Sequence, residues 1–232
     1  MKTSIGLMLA ALCLAAPASA QTRPFNAPAE DAPVISLRPF VDVASETFTA
    51  AKTFDALFGL SNAPFWGGGL QVVVWRGRIY GEVGASRILK KNGELVGQRA
   101  FVSGGQAYPL GIPLRSTIKP LEIVGGYRFN LWRRVVPYVG VGVGSYRYTE
   151  ESDFADPSEN VDATHRGFLF QGGAEVRLHR WVGVAVDAHY SHVPGILGSG
   201  GVSQQFADGP PSSPKERDLG GWTARVKVVV GR

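Results

Sequence analysis

Two stretches decide the fold: Trp181-Val182-Gly183-Val184-Ala185-Val186-Asp187-Ala188-His189-Tyr190 and Trp222-Thr223-Ala224-Arg225-Val226-Lys227-Val228-Val229-Val230. In the first, one parity reads Val182, Val184, Val186, Ala188, Tyr190, and the other Gly183, Ala185, Asp187, His189. In the second, Trp222, Ala224, Val226, Val228 and Val230 share a parity, and Arg225 and Lys227 stand on the opposite one. Side chains alternate faces along a strand, so each stretch has one apolar and one polar face. A soluble barrel or sandwich buries its apolar face. Here the apolar parity is the continuous one, and its opposite mixes charge with glycine. That is a barrel turned inside out, with lipid outside and polar groups within.

The same alternation recurs toward the N-terminus. Around 34–44, Ile35, Leu37, Val41 and Val43 oppose Ser36, Arg38 and Asp42. Further strands are expected over about 66–75 and 78–88, the latter setting Ile79, Val83 and Ala85 against Tyr80, Glu82 and Ser86. Over about 117–129, Leu121, Ile123, Tyr127 and Phe129 oppose Glu122 and Arg128. Over about 136–148, Val139, Val141 and Val143 oppose Gly140, Gly142, Gly144, Tyr146 and Tyr148. Over about 166–178, Phe168, Phe170, Ala174 and Val176 oppose Gln171, Glu175 and Arg177. The expectation is therefore an all-β, eight-stranded antiparallel up-and-down transmembrane β-barrel.

The connections alternate in length. Short ones fall at Arg76-Gly77, Asn130 to Arg134 and His179-Arg180. Long ones cover about 46–64, with one helical turn near Phe54, then 89–116, 149–165 and 194–218. The second of these holds Asn92-Gly93, a hairpin-turn pair, and is expected to form β-structure of its own above the membrane. Short turns on one rim and long loops on the other are the plan of an outer-membrane barrel, whose tilted strands need about ten residues to cross.

Residues 1–20 read as a secretory signal peptide: basic Lys2, apolar Ile5 to Leu14, and the small-residue site Ala18-Ser19-Ala20. The expected domains are this peptide, a Pro/Ala-rich flexible leader at 21–33, and a barrel at 34–232. The single Cys13 lies within the peptide, so the mature chain forms no disulfide. No later run of about twenty apolar residues offers a helical span. A mean hydropathy of +0.01 suits strands that are half apolar. The net charge of +5 invites a nucleic-acid reading. It is set aside, because the basic residues form no stripe and an exported protein meets little nucleic acid.

Trp75, Phe129, Trp132 and Trp181 gather at the short turns beside Arg76, Arg78, Arg133, Arg134 and Arg180. Indole rings favour the membrane–water interface, and nearby arginines meet lipid phosphates. The eight-strand plan, the signal peptide, Pro137-Tyr138-Val139-Gly140-Val141-Gly142-Val143-Gly144 and Gly125-Gly126-Tyr127-Arg128-Phe129 resemble the small outer-membrane β-barrel family of OmpA/OmpX type. The resemblance is architectural and spans about 34–230. It implies location in the outer membrane of a Gram-negative bacterium, a monomer, and partners among outer-membrane lipids, lipopolysaccharide and the assembly machinery. The chain departs from the family in ending Val230-Gly231-Arg232 without an aromatic residue and in carrying no cell-wall-binding domain after the barrel.

The inward charges are Arg38, Asp42, Glu82, Glu122, Arg128, Glu175, Arg177, Asp187, His189, Arg225 and Lys227. An eight-stranded interior is only wide enough for side chains, so such charges must pair. Paired, they form a plug; the alternative is a narrow conduit for ions or protons. His189-Tyr190-Ser191 resembles the His-x-Ser pair of the outer-membrane lipid A 3-O-deacylase family, which would make Ser191 a nucleophile, His189 its base, and Glu216 or Asp218 the orienting acid. The plainer reading is a polar pair at a strand end, with His189 partnered by Glu175 or Arg225. Gly140-x-Gly142-x-Gly144 opens no helix, so it is no phosphate loop and instead makes room for large inward neighbours. His189 and His192 point to opposite faces, and the acidic stretch Glu150 to Asp162 is a solvated loop. Neither gives a metal site. The expected role is structural or interactive at the cell surface, without catalysis or cofactor.

Overall fold

The computed structural model describes residues 35–103, 106–130, 132, 134–152, 154, 160–195 and 218–231. The expected signal peptide and leader, Glu216 and most of the stretch from Pro194 to Asp218 lie outside the described residues. The elements are β1 (Ile35–Phe48), α1 (Ala51–Phe58), β2 (Asn62–Val74), β3 (Ile79–Ile88), β4 (Leu95–Ser103), β5 (Gln106–Arg128), β6 (Val135–Glu151), β7 (Val161–His179), β8 (Val182–His192) and β9 (Gly221–Val230). All pairings are antiparallel, and sequence neighbours lie side by side.

Eight of these strands close a barrel. β1 pairs with both β2 and β9, while β3 pairs with β5 over Ile79–Ala85, leaving no open edge there. The ninth strand, β4, pairs only with β5, continuing that strand outward as a hairpin beyond the barrel wall. The β-structure expected in the second long connection is thus a β4–β5 hairpin. Asn92 and Gly93, both at positive φ, turn the chain into it rather than closing a two-strand hairpin themselves.

The strands outrun their expected ends. β5 and β6 hold register from Arg128 opposite Tyr138 up to Arg115 opposite Glu151. Much of what reads as loop is therefore wall. Alternation of apolar and polar residues marks only the lipid-crossing part, and beyond it backbone hydrogen bonds continue the strands. Likewise β1 reaches Phe48, so the first long connection shrinks to α1, which ends at Gly59 in the left-handed conformation.

Parity is as read. Outward Leu37, Val41, Ile123, Val141 and Phe170 are exposed, while Arg38, Glu82, Arg128, Asp187 and Lys227 are buried. At the short-turn rim, Trp75 and Trp132 are 58% and 59% exposed, with Phe129 and Trp181 beside them. The opposite edge of the apolar belt carries a second aromatic set, Trp66, Phe168 and Trp222. Asn130 braces the β2–β3 turn by donating to the Arg76 and Gly77 carbonyls at 3.3 and 3.2 Å.

The inward glycines make room. A Cβ on Gly126 would meet the Val139 carbonyl and lie 2.6 Å from the Tyr80 ring, and one on Gly140 would meet the Tyr80 hydroxyl. Outward Gly125 faces open space. Gly126→Ala should therefore destabilise the barrel by about 1–3 kcal/mol. Gly125→Ala should change it by less than about 0.5 kcal/mol. Urea unfolding in lipid vesicles measures both, and equal losses would contradict the packing described.

Candidate functional site

Inside the wall the charges assemble in tiers. At the short-turn end, Glu175 on β7 accepts from Arg38 on β1 at 2.5 and 2.9 Å and from Arg128 on β5 at 2.9 Å. Gln71 ties this tier to the next: its carbonyl accepts from Arg38 and Arg128, both at 3.0 Å, and its amide donates to Glu82 at 3.1 Å. One carboxylate thus serves two guanidiniums, with the amide supplying a further acceptor, and Arg38 Nε and Arg128 Nε remain without a protein partner.

The middle tier is an alternating square. Lys227 Nζ lies 3.0 Å from Glu82 and 3.1 Å from Asp187, and Arg225 lies 3.2 and 3.0 Å from the same two carboxylates. Tyr138 donates to Asp187 at 2.7 Å, Arg225 to Gln171 at 3.0 Å, and Gln171 to Tyr80 at 2.8 Å. The square arises because Asp187 and Arg225 are cross-strand partners, while Glu82 reaches across from β3. At ion-pair distance in a low-dielectric interior, such a closed network offsets much of the cost of desolvating its charges.

Above it lies a cavity of about 30 Å³ lined by Asp42, Glu46, Glu122, His189, Thr223 and Arg225, among others. That is room for about one or two waters. His189 Nδ1 and Thr223 Oγ1 are buried without a protein partner. His189 Nε2 stands 3.9 Å from Glu122, which accepts from Tyr146 at 2.8 Å.

Over the cavity the interior turns apolar. Phe48, Phe65, Ile88, Leu95, Leu114, Ile118, Val193 and Leu219 pack with Phe54 and Phe58 of α1. The Phe48 and Phe54 rings stack at 3.9 Å between centroids.

Three features differ from the sequence reading. Arg177 is exposed at the barrel mouth rather than paired inside, because β7 is irregular between Arg177 and His179 where it leaves the wall. His189 faces Glu122 on β5, across the barrel, rather than Glu175 or an ion pair with Arg225. Its flanking partners are Gln171 and Thr223, and Glu175 stands a full tier lower. Asp218 orients His192 instead of His189, with its carboxylate 2.5 Å from His192 Nδ1 and accepting from the Val193 and Gly220 N–H groups. Ser191, the nucleophile only of the alternative hydrolase reading, is 1% exposed, and its Oγ accepts from Gly221 N–H at 3.2 Å. Glu46 and Gln71 join the interior as well, beside Gln171, which stands inward as expected. Glu46 continues the Arg38, Asp42 parity of β1, and the longer strand would have revealed it.

Among the described residues, no group of three or more His, Cys, Asp and Glu is placed to hold a metal ion. The apolar exterior, paired interior and closed antiparallel wall define a small transmembrane β-barrel.

No protein-family model and no curated protein matches the chain. Among solved structures it is similar to Neisserial surface protein A, at 10% identity and a TM-score of 0.47, covering 86% of this chain and 96% of that one. It is also similar to Ail, the attachment invasion locus protein of Yersinia pestis, at 13% identity and a TM-score of 0.42, covering 84% and 97%. A major outer membrane protein from Thermus thermophilus matches at 10% identity and a TM-score of 0.45, covering 84% and 99%.

Glu175→Gln would leave Arg38 and Arg128 buried without a carboxylate, a loss of about 3–5 kcal/mol. Adding Arg38→Met should recover part of it by removing one stranded charge. Urea midpoints in vesicles report the series, and a single variant as stable as the parent would show that the tier contributes nothing.

Proposed function

We propose that the protein is a monomeric integral barrel of a Gram-negative outer membrane. Its interior is plugged, and its role is structural or interactive at the cell surface rather than catalytic. The observation that carries this reading is the double closure of the lumen. Ion-paired tiers fill the lipid-crossing part, and an aromatic cap made with α1 lies over them. A conduit needs a continuous wet path, and the cavity among the upper charges holds only about 30 Å³. An ester hydrolase of the Ser–His type needs its base within about 3 Å of the nucleophile. His189 Nδ1 instead lacks a partner, and Ser191 is packed beneath the Gly220 backbone.

Location is tested by fractionation and gel mobility. The mature chain should appear with outer membrane and migrate differently before and after boiling, whereas recovery as a soluble periplasmic protein would sink the membrane reading. Plugging is tested in planar bilayers, where the intact barrel should give no stable conductance. Phe54→Ala, costing about 3 kcal/mol or more in stability, should still not conduct, because the ionic tiers remain. Discrete openings in the parent protein would favour a channel. Lipid A from expressing cells should keep its full acyl complement; loss of one ester-linked chain, abolished by Ser191→Ala, would make the protein an enzyme.

A further inference from the structure

The outward face just beyond the apolar belt is not uniform around the rim. On β3, Arg87 follows the outward pair Val83 and Ala85; on β5, Lys119 follows Ile123 and Leu121; on β7, Arg166 follows Phe170 and Phe168. On β6, Arg147 stands two outward positions above Val143. All four cations are exposed, and their strands are consecutive around the wall. On the other side, β1 and β2 present Ser45, Thr47, Asn62 and Pro64 at this level. The positive charge therefore forms an arc on one side only.

Among the described residues, the arc is short of counter-charge. Lys119 and Arg147 are direct cross-strand partners, an arrangement that destabilises a sheet unless an anion intervenes. Asp162 answers Arg147 through a two-pronged pair at 2.6 and 3.0 Å, and those hydrogen bonds hold its carboxyl below the usual range, so it stays charged. Higher up, Arg115 stands opposite Glu151. Lys119 and Arg166 flank the Arg147–Asp162 pair, and Arg87 lies beyond Lys119 with its guanidinium over Trp66 at 4.8 Å. Among the described residues, the arc itself offers one carboxylate against four cations.

Height identifies the missing anion. Two residues along a strand are roughly 6.5–7 Å, so Arg87, Lys119 and Arg166 sit within about that distance of the last lipid-facing side chain. This is headgroup depth, where phosphates lie and where cationic side chains gain from an anionic surface. We propose that the arc of Arg87, Lys119, Arg147 and Arg166 binds the phosphate groups of a multiply phosphorylated lipid in the outer leaflet. The inference rests on the membrane-spanning reading above. It adds a side to the barrel: one flank recruits phosphorylated lipid, and the β1–β2 flank does not.

The test uses the full mature barrel in nanodiscs of phosphatidylcholine doped with bisphosphorylated lipid A or with its dephosphorylated form. Lipid retained on the protein is counted by native mass spectrometry. The phosphorylated form should be retained preferentially. Retention should fall about five-fold for each charge removed in Lys119→Gln and Arg166→Gln, from the ~1 kcal/mol typical of a cation at a membrane surface. Thr47→Gln, on the opposite flank, should leave it unchanged. Millimolar inorganic phosphate should not displace the lipid; if it does, the arc is a site for free phosphate and the proposal fails. A barrel that inserts and shows heat-modifiable mobility yet retains both lipids equally would also overturn the arc, with the membrane reading intact. A chain that fails to insert would overturn the membrane reading itself.

Discussion

Charge neutralisation inside a lumen with no room for bulk water governs this molecule. An isolated ion there costs several kcal/mol, so every buried guanidinium and carboxylate needs a partner from another strand. The middle tier satisfies this with two cations and two carboxylates drawn from β3, β8 and β9. The lower tier uses β1, β5 and β7. The lower-tier partners, and Glu82 with its β9 cations, lie on strands that do not neighbour one another, so these ion pairs cross-brace the wall in directions that backbone hydrogen bonds do not. They also fix register, because a one-residue slip of β9 would turn Arg225 and Lys227 toward lipid.

The same strands obey opposite rules at different heights. In the lower and middle wall, apolar residues face out and charges face in. Above the level of Trp66 and Phe168, Leu114, Ile118 and Leu95 turn inward, while Lys119, Arg147 and Asp162 turn outward. Parity itself does not change; the chemistry placed on each parity does. Lipid on the outside imposes the first rule and water imposes the second. The upper barrel is thus built like a soluble one, with α1 contributing Phe54 and Phe58 as part of an ordinary hydrophobic core.

That switch explains how much was legible in the sequence. Val182 to Tyr190 and Trp222 to Val230 showed alternation because one face meets lipid along their whole length, and strand count, parity and nearly all inward charges followed. Strand ends did not follow, since in Thr117 to Arg115 or Thr149 to Glu151 the alternation loses its lipid-facing apolar set. The partners of the inward charges were equally hidden. Periodicity puts His189 inside but says nothing of whether the side chain facing it comes from β7, β9 or β5. In a lumen this narrow the facing side chain was Glu122, from a strand three places around the wall. Asp218 presents the same limit: its pairing with His192 depends on how the backbone near Gly220 curls over Ser191, a feature with no period to read.

The tiers also divide the interior electrically. The lower tier sets Arg38 and Arg128 against Glu175, the middle one is balanced, and the upper cavity brings Asp42, Glu46 and Glu122 together with His189. Guanidinium groups therefore gather at the short-turn end and carboxyl groups below the cap. Arg225, bonded to Asp187 and Glu82 and also lining the cavity, links the middle tier to the upper cavity. Two of the buried polar atoms without protein partners, His189 Nδ1 and Thr223 Oγ1, belong to residues lining this cavity, where a small wet space exists to serve them, while Arg38 Nε and Arg128 Nε lie in the lower tier. Closure of the barrel is thus achieved by two different means in series: direct ion pairing where lipid surrounds the wall, and apolar packing where water does, with the water-sized cavity confined to the junction between them.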